Sequence, residues 1–157
     1  MRKFTKYPIC ASTDIDLTQF DSAQIIQIRK GIDSGVDVSI YADPDFDWYQ
    51  MAAIRRGLES SIDVYVYADP KYNGLQMDQI REGLNSGVDV SVYADPKYNS
   101  AQMEEIRKGL ESGVDVSVYA DPEFDEDQMT EIRLDLEQRK ASGRRGGVKQ
   151  ARGGNGR

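Results

Sequence analysis

The stretch GVDVSVYADPKYNSAQMEEIRKGL, residues 87–110, decides the fold because its pattern returns along the chain at a fixed interval. The tetrapeptide Tyr-Ala-Asp-Pro begins at residues 41, 67, 93 and 119, so successive copies are 26 residues apart. Regular internal repetition is typical of arrays in which each repeat packs on its neighbours. The helical half of the pattern occurs five times, and we therefore predict a repeat solenoid over residues 20–138.

Each repeat begins with the sequence signals of a helix N-terminus. An Asp or Asn fills the N-cap position, where its side-chain oxygen accepts hydrogen bonds from backbone N–H groups of the first turn. A Gln three residues later completes a capping box, and an aromatic residue before the cap pairs with an apolar residue five positions on as a hydrophobic staple. The predicted N-caps are Asp21, Asp47, Asn73, Asn99 and Asp125.

Two glycines of the repeat have predicted roles. Gly113, like Gly35 and Gly87, follows the last helical turn, where a left-handed residue is expected to end the helix. Gly109 lies inside the helix, where glycine costs roughly 0.5–1 kcal/mol relative to alanine. We expect Gly109 and its counterparts to allow a close backbone approach to the adjacent repeat.

The second half of the repeat, Val-Asp-Val-Ser-Val before Tyr-Ala-Asp-Pro, is compatible with two structures. Its alternating β-branched residues predict a strand, and hence an α/β solenoid with one short strand per repeat. Parallel strands lie about 4.8 Å apart, however, and would stack the repeated Asp side chains into columns of like charge. If Asp115 instead caps a short helical turn, Val116 and Tyr119 face inward and Pro122 forces the exit. We favour an all-α, short solenoid of five helix–turn–short-helix repeats and keep the α/β solenoid as the alternative.

The pattern aromatic-x-x-x-Gln-Met-x-x-Ile-Arg-x-Gly-Leu, followed by Asp-Val-Ser-x-Tyr-Ala-Asp-Pro, resembles repeats in proteins of Gram-positive gut bacteria, often encoded on mobile elements. The resemblance covers residues 20–137, and that group has no established activity to transfer. The repeat is also distantly similar to the leucine-rich repeat variant, which alternates an α-helix with a short 3₁₀ helix. This second likeness implies an all-α array, although the units of that family are shorter and begin with a Pro-rich turn.

The charge is unevenly distributed along the chain. The net charge is −7, but seven Lys and Arg residues and no acidic ones occur from Arg139 onward, which leaves residues 1–138 with a net charge of −14. An acidic body argues against a generally basic nucleic-acid groove. The N-terminus has no apolar run long enough for a signal peptide or a membrane span, so we expect a cytoplasmic protein without membrane contact.

The composition offers little catalytic chemistry. The chain has no histidine and a single cysteine, Cys10, which argues against Ser/Cys–His nucleophile pairs, most zinc sites and an internal disulfide. Acidic loops such as residues 121–127 do not match a calcium site, because proline and aromatic residues interrupt the ligand run. We expect no catalytic residue, no metal, no cofactor and no enzyme activity.

The side chains shared by all repeats are predicted to be structural. The repeated arginine is expected to pair with the Asp of Val-Asp-Val or of Tyr-Ala-Asp-Pro, in preference to forming a basic ladder for an anion. The Tyr-Ala-Asp-Pro segment is expected to act as the hinge between stacked repeats. The residues concerned are Arg29, Arg55, Arg81, Arg107 and Arg133, with Tyr41, Tyr67, Tyr93 and Tyr119.

Positions where the repeats differ are better candidates for a binding surface. Trp48 and Tyr49 fill the first helical turn where another repeat has Ser100 and Ala101, and Tyr65 replaces a serine. If exposed, these three aromatic side chains would form a hot-spot patch for a protein partner. Local variation in core filling, or packing against a degenerate first repeat, explains them equally well.

The two ends of the chain are expected to differ from the array. Residues 1–19 match a degenerate N-terminal cap, whereas residues 139–157 contain six glycines and seven basic residues and are predicted to be disordered. The Arg-Gly-Gly pieces of this tail resemble RNA-binding segments. The side chains predicted to contact nucleic acid are Arg144, Arg145, Lys149 and Arg152.

Three functions are compatible with these features. The first is a non-catalytic repeat module for protein–protein interaction, of mobile-element origin. The second is an acidic inhibitor that imitates nucleic acid and occupies a DNA-binding enzyme. The third is weak nucleic-acid binding through the basic tail. The sequence leaves the identity of the partner and the oligomeric state open.

Overall fold

The computed structural model describes residues 14–152, with side chains described through Gly143; the predicted N-terminal cap, residues 1–19, falls mostly outside this range. Within the described range the chain forms α-helices and short 3₁₀ helices, and no strand. The predicted all-α repeat is confirmed, and the α/β alternative is not needed. The α-helices are α1 (Ser22–Ser34), α2 (Trp48–Glu59), α3 (Gly74–Ser86), α4 (Ser100–Ser112) and α5 (Glu126–Arg152).

The Val-Asp-Val-Ser-Val segment forms a 3₁₀ helix, as the all-α interpretation requires. In the last copy the Asp115 carboxylate accepts a hydrogen bond from the backbone N–H of Ser117 at 3.1 Å, and Val116 and Tyr119 are buried. A local bond of this kind satisfies a free N–H of the turn and competes with strand pairing. The 3₁₀ helices are Leu17–Gln19, Val38–Ile40, Val64–Val66, Val90–Val92 and Val116–Val118.

The predicted capping boxes form at the start of all five α-helices. At α4 the Asn99 side chain accepts from the backbone N–H of Gln102 at 2.8 Å, and the Gln102 side chain accepts from the N–H of Asn99 at 2.9 Å. The two residues of the predicted staple, Tyr98 and Met103, are both buried. These bonds satisfy N–H groups that a helix start otherwise leaves without partners.

The described residues divide into two compact units, the first ending at Asn85 and the second beginning at Ser86. In the first unit α1 packs against α2, and in the second unit α4 packs against α5. Within each unit the packing therefore joins helices that follow one another in the repeat array.

The Gln of the capping box also bonds to the following repeat, a contact that the sequence did not predict. In the first unit the Gln24 amide donates to the carbonyl oxygen of Phe46 at 2.7 Å. In the second unit the Gln102 amide donates to the carbonyl oxygen of Phe124 at 2.7 Å. One side chain thus caps its own helix and holds the loop that leads into the next helix.

The tyrosine of Tyr-Ala-Asp-Pro is a core residue and not part of a hinge. Tyr41, Tyr67, Tyr93 and Tyr119 are 0% exposed. The hydroxyl of Tyr119 donates to the carbonyl oxygen of Glu105 at 2.8 Å, which satisfies a polar group that burial would otherwise penalise. The tyrosine therefore anchors the 3₁₀ segment to the α-helix before it, and the turn to the next repeat is left to Ala-Asp-Pro.

The glycine inside each helix makes room for this tyrosine. A β-carbon on Gly109 would overlap the hydroxyl of Tyr119 and would lie 2.7 Å from Cγ1 of Val116. Gly31 and Gly57 meet the tyrosines of their own repeats in the same way. The expected approach between backbones of adjacent repeats is therefore wrong at these positions, since the close neighbour is a side chain of the same repeat.

The final helix continues beyond the array. Disorder was expected from residue 139; α5 runs to Arg152, and the disorder of the tail stays a prediction. The Lys140 ammonium donates to the carbonyl oxygens of Ser112 and Gly113 at 2.7 and 3.1 Å. Cations near a helix C-terminus are favourable partners for its free carbonyls, so this contact extends α5 along the end of α4. Residues 153–157 lie outside the described residues.

Candidate functional site

The repeated arginines pair with carboxylates, but not with those that the sequence indicated. The Asp of Val-Asp-Val caps a 3₁₀ helix instead, as Asp115 does. Each paired arginine contacts an acidic residue three or four positions away on its own helix. The first of the repeated arginines, Arg29, is exposed on α1. These carboxylate partners differ from the Asp of Val-Asp-Val and the Asp of Tyr-Ala-Asp-Pro that the sequence indicated. The pairs are Arg55–Glu59, Arg81–Asp78, Arg107–Glu111 and Arg133–Glu137.

Arg133 shows how such a pair joins two repeats within the second unit. Its guanidinium contacts Glu105 on α4 at 2.8 Å and Glu137 on α5 at 2.9 Å. Ser112, at the end of α4, donates to the same Glu137 at 2.8 Å. Burial alone would raise the pKa of Glu105, but hydrogen bonds from Arg133 and Lys108 lower it below its usual range. These charged side chains therefore hold α5 against α4.

The two aromatic residues at the start of α2 have different environments. Tyr49 is half-buried: its hydroxyl donates to Asp78 on α3 at 2.7 Å, and its ring lies where a β-carbon on Gly74 would be. The hydrogen bond to Asp78 raises the pKa of Tyr49. Trp48 is 48% exposed and meets the Tyr49 ring edge to face, with ring centroids 5.3 Å apart. Tyr49 thus fills space between repeats, whereas Trp48 presents its ring to solvent.

Leu75 is an exposed residue at the start of α3 and was not among the predicted site residues. It follows Gly74, the residue beneath the Tyr49 ring, and is 55% exposed. Its position in the repeat is the signal that could have found it, because it is the counterpart of Tyr49, where the next repeat has Ala101. We term Trp48, Tyr49 and Leu75 the α2–α3 patch.

Tyr65 is 78% exposed on the 3₁₀ helix Val64–Val66. Its backbone N–H bonds to the Asp63 carboxylate at 3.2 Å, so the turn forms as in the other repeats. In the last repeat Ser117 occupies this position, and its hydroxyl also bonds to the capping Asp. The phenol of Tyr65 is exposed to solvent, whereas the Ser117 hydroxyl bonds to the carboxylate of its own turn.

The three predicted partner-binding aromatics do not form a single patch. After α2 the chain returns along the same helix, because Val64 packs beside Gly57. Gly57 is nine residues from Trp48 along α2, which at 1.5 Å per residue is a distance of about 13 Å. Tyr65, which adjoins Val64, therefore lies at a different level of the helix from Trp48. The structure has two exposed aromatic sites in place of the one expected.

The remaining candidates concern metals, membranes and nucleic acid. The described residues form no group of three or more His, Cys, Asp or Glu that could hold a metal ion. In the same part of the chain, no helix combines the length and the apolar character needed to cross a membrane. The residues predicted to contact nucleic acid lie within α5, beyond the last residue whose side chain is described: Arg144, Arg145, Lys149 and Arg152.

Comparison with known proteins adds no relative from which a function could be transferred. No family model, no curated protein and no solved structure matches the chain.

Proposed function

We propose that the chain is a non-catalytic repeat module that binds a protein partner. The observation that carries this proposal is the exposure of large side chains where the repeats depart from their shared pattern: Tyr65 is 78% exposed, Leu75 55% and Trp48 48%. Single exposed apolar residues are normal on protein surfaces. Trp48 and Tyr65, however, stand at positions that the other repeats fill with small or polar residues. Leu75 stands at a position where Tyr49 is the only other large residue, so the repeat fold does not require these three side chains. Trp and Tyr are the residues most enriched at interface hot spots.

The shared side chains support the same proposal because they are already engaged. The repeated tyrosine bonds within the core, the repeated Gln bonds to two backbone groups, and the paired arginines bond to acidic residues of the helices. A binding surface must then use what the repeats do not share. The resemblance to repeats of mobile-element proteins is compatible with such a module but does not identify a partner.

Photo-crosslinking tests the proposal directly. The photoreactive residue benzoylphenylalanine replaces Tyr65 in one protein, Trp48 in a second and Lys30, an exposed residue of α1, in a control. After irradiation in a lysate of the source cells, we expect the first two proteins to crosslink to a discrete protein that the control does not capture. Equal crosslinking patterns at all three positions would contradict the proposal.

A substitution back to the repeat pattern provides the matched competitor. Tyr65→Ser restores the residue found at positions 39, 91 and 117, so the fold should be retained. Added without the photoreactive group, the natural chain should suppress crosslinking at residue 65 more strongly than the Tyr65→Ser chain does. Equal suppression by the two chains would show that Tyr65 is not part of the binding surface.

Two other functions are distinguished by the same lysate experiment. If the acidic body imitates nucleic acid, capture will survive substitution of Trp48 and Tyr65 and will collapse as the salt concentration rises, because exposed charges are screened. If the basic tail binds nucleic acid, capture will be lost on nuclease treatment. Capture that survives nuclease and high salt but fails in the aromatic variants favours the interaction module.

A further inference from the structure

We propose that the α2–α3 patch binds a partner segment in which a Lys or Arg side chain adjoins a large apolar side chain. This inference rests on the proposed function and names the chemistry of the partner. It combines two features that meet at the start of α2: an exposed apolar surface and a preceding loop that carries only negative charges.

The apolar surface is held in place by the packing of Tyr49. The ring of Tyr49 contacts Trp48 on one side and covers Gly74 on the other, and its hydroxyl is fixed on Asp78 at 2.7 Å. Leu75 follows Gly74 directly in α3 and is 55% exposed. A surface that is already ordered loses little side-chain entropy when a ligand binds.

The loop that leads into α2 supplies the negative charge. Asp43, Asp45 and Asp47 are exposed, and no Lys or Arg occurs between Tyr41 and Ile54. The turn itself is fixed by the Asp43 carboxylate, which accepts from the backbone N–H of Asp45 at 2.9 Å. Complementary charge of this kind selects a cationic partner and speeds its association.

The repeats of α4 and α5 separate these two features. The loop before α4 contains Asp95 and Lys97, whose charges cancel, and the helix then begins with Ser100 and Ala101. The loop before α5 is acidic, but Glu126 and its neighbour offer no apolar surface. Only the start of α2, among the described repeats, combines three exposed acidic residues with an exposed indole.

The size of the patch favours a short segment over a second copy of the chain. An aromatic side chain buries roughly 150–250 Å² when it is fully covered, and Trp48 is about half exposed, at 48%. A stable protein interface needs on the order of 800 Å² on each side. The patch therefore matches a single apolar anchor with a neighbouring cation.

Selection from a phage-displayed random-peptide library on the full chain tests the inference. We expect enrichment of peptides in which Lys or Arg adjoins Trp, Phe, Leu or Met. Dissociation constants are then measured by fluorescence anisotropy of labelled, selected peptides. Loss of one hot-spot side chain costs at least about 1.4 kcal/mol, so Trp48→Ser and, separately, Leu75→Ser should weaken binding at least about tenfold. The matched control is Leu134→Ser, because Leu134 is 51% exposed on α5, in the other unit.

A separate variant tests the contribution of the negative charge in the loop before α2. Asp43→Asn with Asp45→Asn keeps a side-chain oxygen at residue 43 for the turn and removes two negative charges. This variant should weaken peptide binding severalfold at low salt and much less at high salt, since added ions screen the lost attraction.

Selected peptides that bind Trp48→Ser and Leu75→Ser as well as the natural chain would overturn this inference and leave the proposed function standing. Enrichment without basic residues, or no enrichment at all, would also overturn it, and the photo-crosslinking result would then decide the proposed function alone. Dimerisation that sedimentation detects and Trp48→Ser abolishes would assign the patch to a second copy instead. Circular dichroism of each variant checks that the fold is retained.

Discussion

The hydroxyl of Tyr67 lies against Gly57 and donates to the carbonyl oxygen of Ala53 at 3.0 Å, so the glycine makes room for a buried hydrogen bond. A β-carbon at residue 57 would overlap that hydroxyl and would lie 2.7 Å from Cγ1 of Val64. The contact joins a helix to the 3₁₀ segment that follows it. It explains why the repeat keeps a residue that is unfavourable within a helix.

Gly57→Ala should destabilise the chain by about 1–3 kcal/mol, because the added methyl group overpacks a filled core. Gly143→Ala is the control: it lies in α5 with no neighbour near its β-carbon position, and should stabilise the chain by up to about 1 kcal/mol. Urea denaturation measures both changes. Adding Tyr67→Phe to Gly57→Ala should recover part of the loss, and a loss that is unchanged would contradict the assigned contact.

The helix starts were predictable because their signals are local. Asn99 and Gln102 are three residues apart, and the reciprocal bonds of a capping box involve no other part of the chain. The partner of Gly109 was not predictable in the same way. Tyr119 is ten residues away across a turn, and only the three-dimensional course of the 3₁₀ segment brings its hydroxyl to the helix.

Ser61 occupies the helix-ending position that glycine fills in other repeats, and its φ is 57°. Left-handed backbone costs roughly 1 kcal/mol for a residue with a β-carbon. Ser61→Gly should therefore raise the free energy of unfolding by about 0.5–1 kcal/mol. Gly87→Ser makes the opposite change at a φ of 77° with no neighbour within 4 Å of the β-carbon position, and should lower it. Thermal and urea denaturation would refute this account if both substitutions shifted stability in the same direction.

Glu105→Gln should lower stability at neutral pH by about 1 kcal/mol, because the charged hydrogen bonds to Arg133 and Lys108 become neutral ones. The pKa of Glu105 is lowered from its usual 4.5, since these bonds outweigh the effect of burial. A lowered folded-state pKa gives stability that is present above pH 4.5 and is lost as the pH falls through the folded-state pKa.

The difference in stability between the natural chain and Glu105→Gln should therefore be largest near neutral pH and should close in acid. Urea denaturation across this pH range measures it. The fold should be retained, because the residue of α1 at the same repeat position as Glu105 is Gln27. Its side-chain oxygen accepts a hydrogen bond from the Arg55 guanidinium at 3.2 Å. A difference that stays constant down to low pH would show that the charge of Glu105 contributes nothing.

High pH should unfold the chain steeply. Burial raises the pKa of Tyr41, Tyr67 and Tyr119 well above 10, the value expected for the unfolded chain. Stability is then fully present below pH 10 and is lost as the pH rises, because the unfolded chain releases protons that the folded chain keeps. Three such groups give a slope of up to about 4 kcal/mol per pH unit.

Urea denaturation at a series of alkaline pH values measures that slope. Tyr67→Phe removes one of these groups and should reduce the slope by up to about 1.4 kcal/mol per pH unit. A free energy of unfolding that is independent of pH above 10 would contradict the burial of these hydroxyls in the solution structure.

The proposed binding surface was only partly predictable. Trp48 and Tyr65 could be selected as departures from the repeat, and both are exposed. Tyr49 departs from the repeat equally but is half-buried, because Asp78 and Gly74 of the following repeat receive its hydroxyl and its ring. Gly74 accommodates the ring of Tyr49, which belongs to the preceding repeat. This role of the glycine can be recognised only once the packing of the repeats is known.

The same difference separates the roles of the two aromatic residues at the start of α2. Tyr49→Phe should lower stability by about 1–2 kcal/mol, because it removes a hydrogen bond to the charged Asp78. Trp48→Ser should cost less than about 1 kcal/mol, since an exposed indole contributes mainly its edge-to-face contact with Tyr49. In partner capture and peptide binding the order should be reversed, with Trp48→Ser the more damaging. Urea denaturation and the peptide titration, run on the same two variants, measure both orders. If Trp48→Ser proved the more destabilising and left binding intact, Trp48 would be a packing residue of the first unit and the α2–α3 patch would lose its centre.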